Sequence, residues 1–336
     1  MSYTVTLIEG DGIGPEVTRA ACRILNAAGA PVEWESVPAG LAGIAAYGKP
    51  LPDVVLDSLL RNRVGLKGPL TTPKGTGYSS PNVGLRKGLD LFVGLRPVLS
   101  MPGVKTKYEN VDLVVLRENT QGLYVGIEHE VTPGTIVTLK VASAEAGARI
   151  ARWGFEYARN HGRRRITVCH KRRVMPLSDG AFVDAFYDVA KDYPFIQIDQ
   201  MPVDDVAMEL ARDPSQFDVL LLENLYGDII SDLCAGLVGG LGVVPGANIG
   251  DKCAVFEAVH GTAPDIAGLG AANPLAVLMS GVLMMEHMGE HAVARRVGGA
   301  IQKVLSEGKV RTRDLGGTAT TDQFSDAIIR SVEEGE

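Results

Sequence analysis

The chain has 336 residues, 46% of them hydrophobic and 22% charged, with 33 basic against 40 acidic side chains and a net charge of −7. That composition excludes a disordered chain, is large enough for two lobes, and lacks the concentrated positive surface that a phosphate backbone requires, so no nucleic-acid partner is expected. Cys22, Cys169, Cys234 and Cys253 are too scattered for a zinc motif or a disulfide framework, no apolar run reaches membrane-spanning length, and residues 1–8 carry no signal-peptide pattern, so the expectation is a cytoplasmic protein with no membrane partner.

Residues 4–8 form a short β-branched apolar run that ends in Gly10-Asp11-Gly12-Ile13-Gly14-Pro15-Glu16, after which Val17, Ala21, Ile24 and Leu25 recur at helical spacing. This predicts strand, glycine turn and helix, followed by a second strand carrying Glu33 and Glu35. A dinucleotide fingerprint would need its third glycine at position 15, where Pro15 stands; Pro15-Glu16 reads instead as the opening of a helix. Residues 112–116 and 166–169 read as strands, 143–159 as a helix and 218–222 as a buried strand. Strands alternating with helices predict an α/β architecture with a largely parallel core, and the lack of any linker composition predicts lobes that interleave along the chain. Six glycines between residues 236 and 250 interrupt an apolar stretch and suit close backbone packing or a loop around a cofactor.

Three groups of residues carry possible chemistry. If a helix begins near Gly227, Asp228 and Asp232 stack on one face and can grip a hard divalent cation, with Asp204 or Asp205 as a third oxygen donor; on spacing alone, a capping Asp228 and a solvated Asp232 is the preferred account. Arg86, Arg96 and Arg117 could converge on a di- or tricarboxylic acid through their guanidinium forks, although singly each suits a surface ion pair. Tyr124, His170 and Lys171 form a third set, because a lysine beside a tyrosine lowers the phenol pKa and equips the pair for proton transfer.

Together these segments resemble the NAD(P)-dependent β-decarboxylating dehydrogenases that act on isocitrate, homoisocitrate, 3-isopropylmalate and tartrate. The resemblance spans nearly the whole chain through six motifs in order: Gly10 to Glu16, Lys67-Gly68-Pro69-Leu70-Thr71-Thr72-Pro73, Arg117-Glu118-Asn119-Thr120, His170-Lys171, Asn224 to Asp232, and His260-Gly261-Thr262-Ala263-Pro264-Asp265. It implies the isocitrate/isopropylmalate dehydrogenase-like fold, an α/β fold of two domains with a central mixed sheet that is not a Rossmann fold. Residues 1–98 and 240–336 would form the large domain, and 99–239 the small one. It further implies that Asp204, Asp228 and Asp232 hold Mg2+ or Mn2+, and that Tyr124 and Lys171 are catalytic. Asp204 and Lys171 would be supplied across the interface of a homodimer with shared active sites. Arg86, Arg96 and Arg117 would bind the malate part of a small-molecule 3-substituted malate. Thr71, Thr72, His260, Gly261, Ala263, Asp265, Ile266 and Asn273 would line the dinucleotide site, where the Asp265 carboxylate accepts from ribose hydroxyls and repels a 2′-phosphate, favouring NAD.

By the same resemblance, substrate choice would fall on residues 76–86, the segment that faces the variable group at C3 in the family. Ser79, Ser80 and Asn82 would face the group at C3, and an isopropyl group would leave them unpaired at about 1–3 kcal/mol each, which favours isocitrate, oxidised and decarboxylated to 2-oxoglutarate and CO2. Two departures from the family pattern, Arg172-Arg173 after Lys171 and Gln121 after the Arg-Glu-Asn-Thr motif, make the local charge more positive. They are read either as drift at the cleft wall, with the arginines in solvent or paired to acidic neighbours, or as a site for a phosphonate analogue, with Arg173 gripping 3-phosphonomethylmalate on its way to 2-oxo-4-phosphonobutyrate. Homoisocitrate is a further alternative substrate, and a regulatory subunit of a hetero-oligomeric dehydrogenase is the alternative that is not an enzyme.

Overall fold

A computed structural model of the chain describes residues 2–72 and 80–335. Strand β1 (Tyr3–Ile8), helix α1 (Gly14–Ala27) and strand β2 (Val32–Ser36) realise the predicted strand, turn and helix, with Pro15 and Glu16 in the first turn of α1. There follow α2 (Leu41–Tyr47), α3 (Asp53–Asn62), β3 (Val64–Lys67), α4 (Pro81–Gly88), β4 (Val93–Leu99) and β5 (Asp112–Glu118). A hairpin of β6 (Gly122–Thr132) and β7 (Thr135–Val141) leads into α5 (Ala144–Asn160), whose N-cap Ser143 accepts from the Ala146 amide. Next come β8 (Arg165–His170), α6 (Ser178–Ala190), β9 (Gln197–Pro202), α7 (Val203–Arg212), β10 (Val219–Leu222) and α8 (Asn224–Leu237). The chain closes with β11 (Ala247–Ile249), β12 (Ala254–Glu257), α9 (Leu275–His287), α10 (His291–Glu307) and α11 (Thr321–Glu334).

Two compact units result, Met1–Asp90 with Ser100–Lys107 and Val238–Glu336, and Leu91–Leu99 with Tyr108–Leu237. They differ from the expected division because β4 pairs antiparallel with β5 along its whole length and so belongs with the middle of the chain, while Ser100–Lys107 groups with the two ends. In the first unit the strand order is β2-β1-β3-β12-β11, all neighbours parallel except β11 against β12. In the second it is β4-β5-β10-β8-β9, all parallel except β4 against β5. The sheet is therefore mixed, as the resemblance implied. β10 is Val-Leu-Leu-Leu, buried throughout, which is what a strand with parallel neighbours on both sides and helices over its faces requires. All four cysteines are free and buried.

The glycine turn after β1 serves the protein's own backbone. Gly10 has φ +86°, and a Cβ there would lie 2.4 Å from the Pro69 carbonyl oxygen; at Gly12, φ +59°, it would lie 2.1 Å from that of Thr262. The Ile13 amide donates to Thr262 O at 2.9 Å, and buried Asp11 accepts from the Leu41 and Thr71 amides at 2.9 and 2.7 Å. Two loops that carry predicted cofactor residues are thus pinned to this turn, so the departure from the phosphate-binding fingerprint has a structural reason.

Candidate active site

In the second unit, β5 delivers Arg117 to the foot of α8. The Arg117 guanidinium is 3% exposed and donates through Nε and Nη2 to Asn224 Oδ1 at 3.1 and 2.7 Å, while Nη1 pairs with Asp228. Gly227 makes this possible, since a Cβ at that position would meet Arg117 Cγ at 2.6 Å. Tyr124, on β6, donates its hydroxyl to the other Asp228 oxygen and lies with its ring 4.9 Å below the Arg117 guanidinium. Burial, then the hydrogen bond to Asp228, pushes the Tyr124 phenol up, so it holds its proton at neutral pH. The expected lowering of this phenol by a neighbouring lysine is corrected here: within the chain its partners are Asp228 and Arg117.

Asp232 lies one turn beyond Asp228 on α8; burial and then the Asp228 charge raise its pKa, and Arg117 and Arg96 oppose that rise. Arg96 itself is buried on β4, with Nη1 donating to its neighbour's carbonyl at 2.9 Å. Lys171 follows β8 and pairs with Asp204, in the first turn of α7, at 2.5 Å, and that hydrogen bond holds the Asp204 carboxyl below its ordinary value. Among the described residues no three His, Cys, Asp or Glu side chains gather to hold a metal, so one chain offers a cation the Asp228–Asp232 pair and keeps Asp204 with Lys171. Two carboxylates one turn apart, one of them raised first by burial and then by its neighbour's charge, fit a magnesium-like ion that takes further donors from substrate and water.

The two departures have local explanations. Gln121 Nε2 donates to Ser143 Oγ at 2.9 Å and Oε1 accepts from the Ser143 amide at 2.8 Å, so this side chain secures the start of α5. Arg172 pairs with Asp184 of α6 at 2.9 Å, and Arg173 is exposed. These contacts match drift with acidic pairing and lend nothing to a phosphonate site.

In the first unit, α4 carries Asn82 and Arg86 one turn apart, after Ser80 as its N-cap; Ser79 lies outside the described residues. Asn82 Oδ1 and Arg86 Nε are both buried and have no partner among the described residues, as groups awaiting a polar ligand would be. Arg86 stands 3.7 Å from Glu257, which is also paired with fully buried Lys67 at 2.5 Å and accepts from Asn248 at 2.5 Å. A cavity of about 790 Å³ in this unit is lined by His260, Gly261, Ala263, Ile266 and Asn273 of the predicted cofactor set, together with Arg313 and Asp314. Thr71, Thr72 and Asp265 are not in that lining; Asp265 is exposed in the short 3-10 turn Pro264–Ile266. His260 Nδ1 bonds Gly261 O at 3.0 Å, Nε2 is buried without a partner among the described residues, and burial pulls the imidazole pKa down, so the ring is neutral and keeps one nitrogen for a ligand. The cavity size and this orphaned nitrogen fit a dinucleotide. Sequence reasoning missed Asn224, Lys67, Glu257, Arg313 and Asp314; Asn224 and Lys67 stood inside quoted motifs, but their role depends on partners distant in the chain.

The architecture is an α/β fold of two units, one carrying the Arg117–Asp228 cluster and the other the cavity beside His260. The family model for isocitrate/isopropylmalate dehydrogenase matches residues 4–328, and the chain belongs to that family. It is 48% identical over 326 residues to an NAD isocitrate dehydrogenase catalytic subunit 5, mitochondrial, of Arabidopsis thaliana, covering 97% of this chain and 87% of that one. To a mitochondrial regulatory subunit of NAD isocitrate dehydrogenase from Dictyostelium discoideum it is 46% identical over 331 residues, covering 98% and 92%. The crystal structure of isocitrate dehydrogenase from Methylococcus capsulatus superposes with a TM-score of 0.95 at 45% identity, over 98% of this chain and 99% of that one.

The expected cytoplasmic location is overturned, because the curated relatives from both Arabidopsis thaliana and Dictyostelium discoideum are mitochondrial proteins. The expectation leaned on residues 1–8, but Tyr3–Ile8 is strand β1, and a strand selected for its place in a sheet reports nothing about destination. No helix among the described residues is long and apolar enough to cross a membrane.

Proposed function

We propose that the chain catalyses the NAD-dependent, divalent-metal-dependent oxidative decarboxylation of isocitrate to 2-oxoglutarate and carbon dioxide. The observation that carries this reading is the gathering of Arg117, Tyr124, Asp228 and Asp232 at the foot of α8, a proton donor and a carboxylate binder beside a carboxylate pair. Asp228 and Asp232 would hold Mg2+ or Mn2+ with the partner subunit's Asp204, and His260, Gly261, Ala263, Ile266 and Asn273 would hold NAD. When bound, the cation supplies Lewis acidity at the 2-hydroxyl and an electron sink for loss of CO2, and NAD accepts the hydride from C2.

The chain's own groups do the rest. Arg86, Arg96 and Arg117 bind the substrate carboxylates; Arg117 is already oriented by Asn224, which limits the ordering needed on binding. The partner subunit's Lys171 takes the hydroxyl proton. Tyr124, kept protonated by burial and Asp228, delivers a proton to C3 once CO2 has left. The unpartnered Asn82 and Arg86 atoms support a polar C3 substituent over an isopropyl group, and Ser79 and Ser80 would join them. Asp265 favours NAD by repelling a 2′-phosphate.

Likeness to a regulatory subunit favours a second reading, a chain that binds ligands within a mixed assembly and turns nothing over. One experiment separates the two. The purified chain with Mg2+ or Mn2+ is given isocitrate, homoisocitrate, 3-isopropylmalate and 3-phosphonomethylmalate, with NAD or NADP, and absorbance of the reduced nucleotide is followed. Turnover fastest with isocitrate and NAD is expected; ligand binding with no turnover on any acid assigns the regulatory role instead.

A further inference from the structure

Within the second unit, Lys140 near the end of β7 meets two carboxylates. Its Nζ lies 2.5 Å from Asp179 Oδ1 and 3.2 Å from Glu223 Oε1, with all three side chains at least seven-eighths buried, and 4.8 Å from the Tyr226 ring centroid. Asp179, in the first turn of α6, uses its other oxygen to accept the Lys171 amide at 2.6 Å and the Tyr226 hydroxyl at 3.3 Å. Glu223 is the residue between β10 and α8. Its carboxyl is pushed up by burial and pulled back chiefly by Lys140, and Asp179 and Glu118 add to the rise.

We infer that Lys140 is a positioning residue for the reaction: anchored on Glu223 and balancing Asp179, it holds the backbone of Lys171 in place. The inference rests on the catalytic role proposed for Lys171. Charge arithmetic supports it. Asp179, Glu223 and Glu118 line one small cavity, and Lys140 is the lysine in that lining. With the ammonium gone, Asp179 and Glu223 lose the cation that stands between them, and the Asp179 carboxylate that accepts the Lys171 amide is no longer held in place.

The test compares Lys140→Met and Lys140→Arg with wild type in NADH formation from isocitrate with Mg2+. Lys140→Met is expected to lower kcat about ten- to hundredfold, the size of effect a misplacement of about 1 Å causes, with KM for isocitrate and NAD within about twofold. Lys140→Arg recovers most of the loss. Because Lys171 serves the other protomer's site, refolding Lys140→Met together with Tyr124→Phe chains should rebuild one intact site and restore activity above that of either variant alone. A kcat within twofold of wild type, a loss expressed mainly in KM, or no rescue by arginine overturns the inference. Lys171→Met mixed with Tyr124→Phe is the control. Where that pair recovers activity and Lys140→Met with Tyr124→Phe does not, Lys140 acts on its own chain's site and the inference fails. Where the control pair also stays inactive, site sharing is what fails, and Lys140 is judged on the split between kcat and KM and on the arginine rescue. A wild type that never reduces NAD refutes the parent reading instead.

Discussion

The proton-donor role proposed for Tyr124 suits its surroundings as well as its residue type. A tyrosine in water titrates near pH 10, and here burial and Asp228 both move it further up, so the group is protonated whenever the enzyme would be active. Tyr124→Phe should therefore lower kcat by about 10²- to 10⁴-fold while leaving KM near its wild-type value, measured as NADH formation; retention of more than a tenth of kcat would assign the proton to another group. His260 makes an independent prediction about stability. Its folded pKa is depressed by burial below the ordinary histidine value of 6.5, so between those values the unfolded chain binds more protons than the native one. Its contribution to stability is present above about pH 6.5 and is lost as pH falls through the folded pKa. Melting of the ligand-free protein followed between pH 7 and pH 5 should show a downward slope that His260→Gln reduces; an unchanged slope would mean the ring is already charged in the native state.

At the scale of elements, α8 is defined by what it lets approach. Gly227 is a helical glycine, and replacing it with alanine should gain about 1 kcal/mol of helix propensity if nothing else changed. The added Cβ would stand 2.6 Å from Arg117 Cγ, however, and overpacking in a filled interior costs about 1–3 kcal/mol. Arg117 cannot retreat without breaking its bonds to Asn224, so the second effect wins. Gly227→Ala is expected to lower the melting temperature and, if Arg117 binds substrate as proposed, to raise KM for isocitrate. A more stable variant with unchanged KM would show that α8 and β5 can part at no cost.

For the whole molecule, the second unit leaves apolar side chains on its surface: Val131 and Ile136 on the β6–β7 hairpin, Met208 on α7 in the helical turn after Asp204, and Ile229 beside Asp228. Exposed apolar surface beside the proposed half-site for a cation is what a second copy would cover. Sedimentation should find a dimer, and Ile229→Asp or Ile136→Asp should dissociate it and abolish turnover while far-ultraviolet circular dichroism stays native. An active monomer would sink the shared site. Chelation of divalent cations should likewise stop NADH formation reversibly, with Mg2+ or Mn2+ restoring it; full activity after exhaustive chelation would remove the metal from the reaction.

What could be read along the chain was what neighbours decide. The strand at residues 4–8, the helix after residue 143, the all-apolar β10 and the i, i+4 spacing on α8 depend on periodicity and on contacts within a few residues; α8, however, begins at Asn224 rather than near Gly227, so Asp228 is an interior residue paired with Arg117 and not the capping residue that spacing alone preferred. The order of motifs likewise named the family, because the chemistry of a site constrains residue types as well as positions. What needed the tertiary structure were pairings between residues far apart in the chain. That Gly12 makes room for the Thr262 carbonyl, that Gln121 turns to Ser143, that Arg172 finds Asp184, and that Lys140 stands between Asp179 and Glu223 follow from strands and helices meeting across the fold. Charge in particular was beyond local reading: the direction in which Tyr124 titrates is set by desolvation and by a carboxylate 104 residues away, and Coulomb interactions and burial depend on distance in space, of which distance along the chain is no measure.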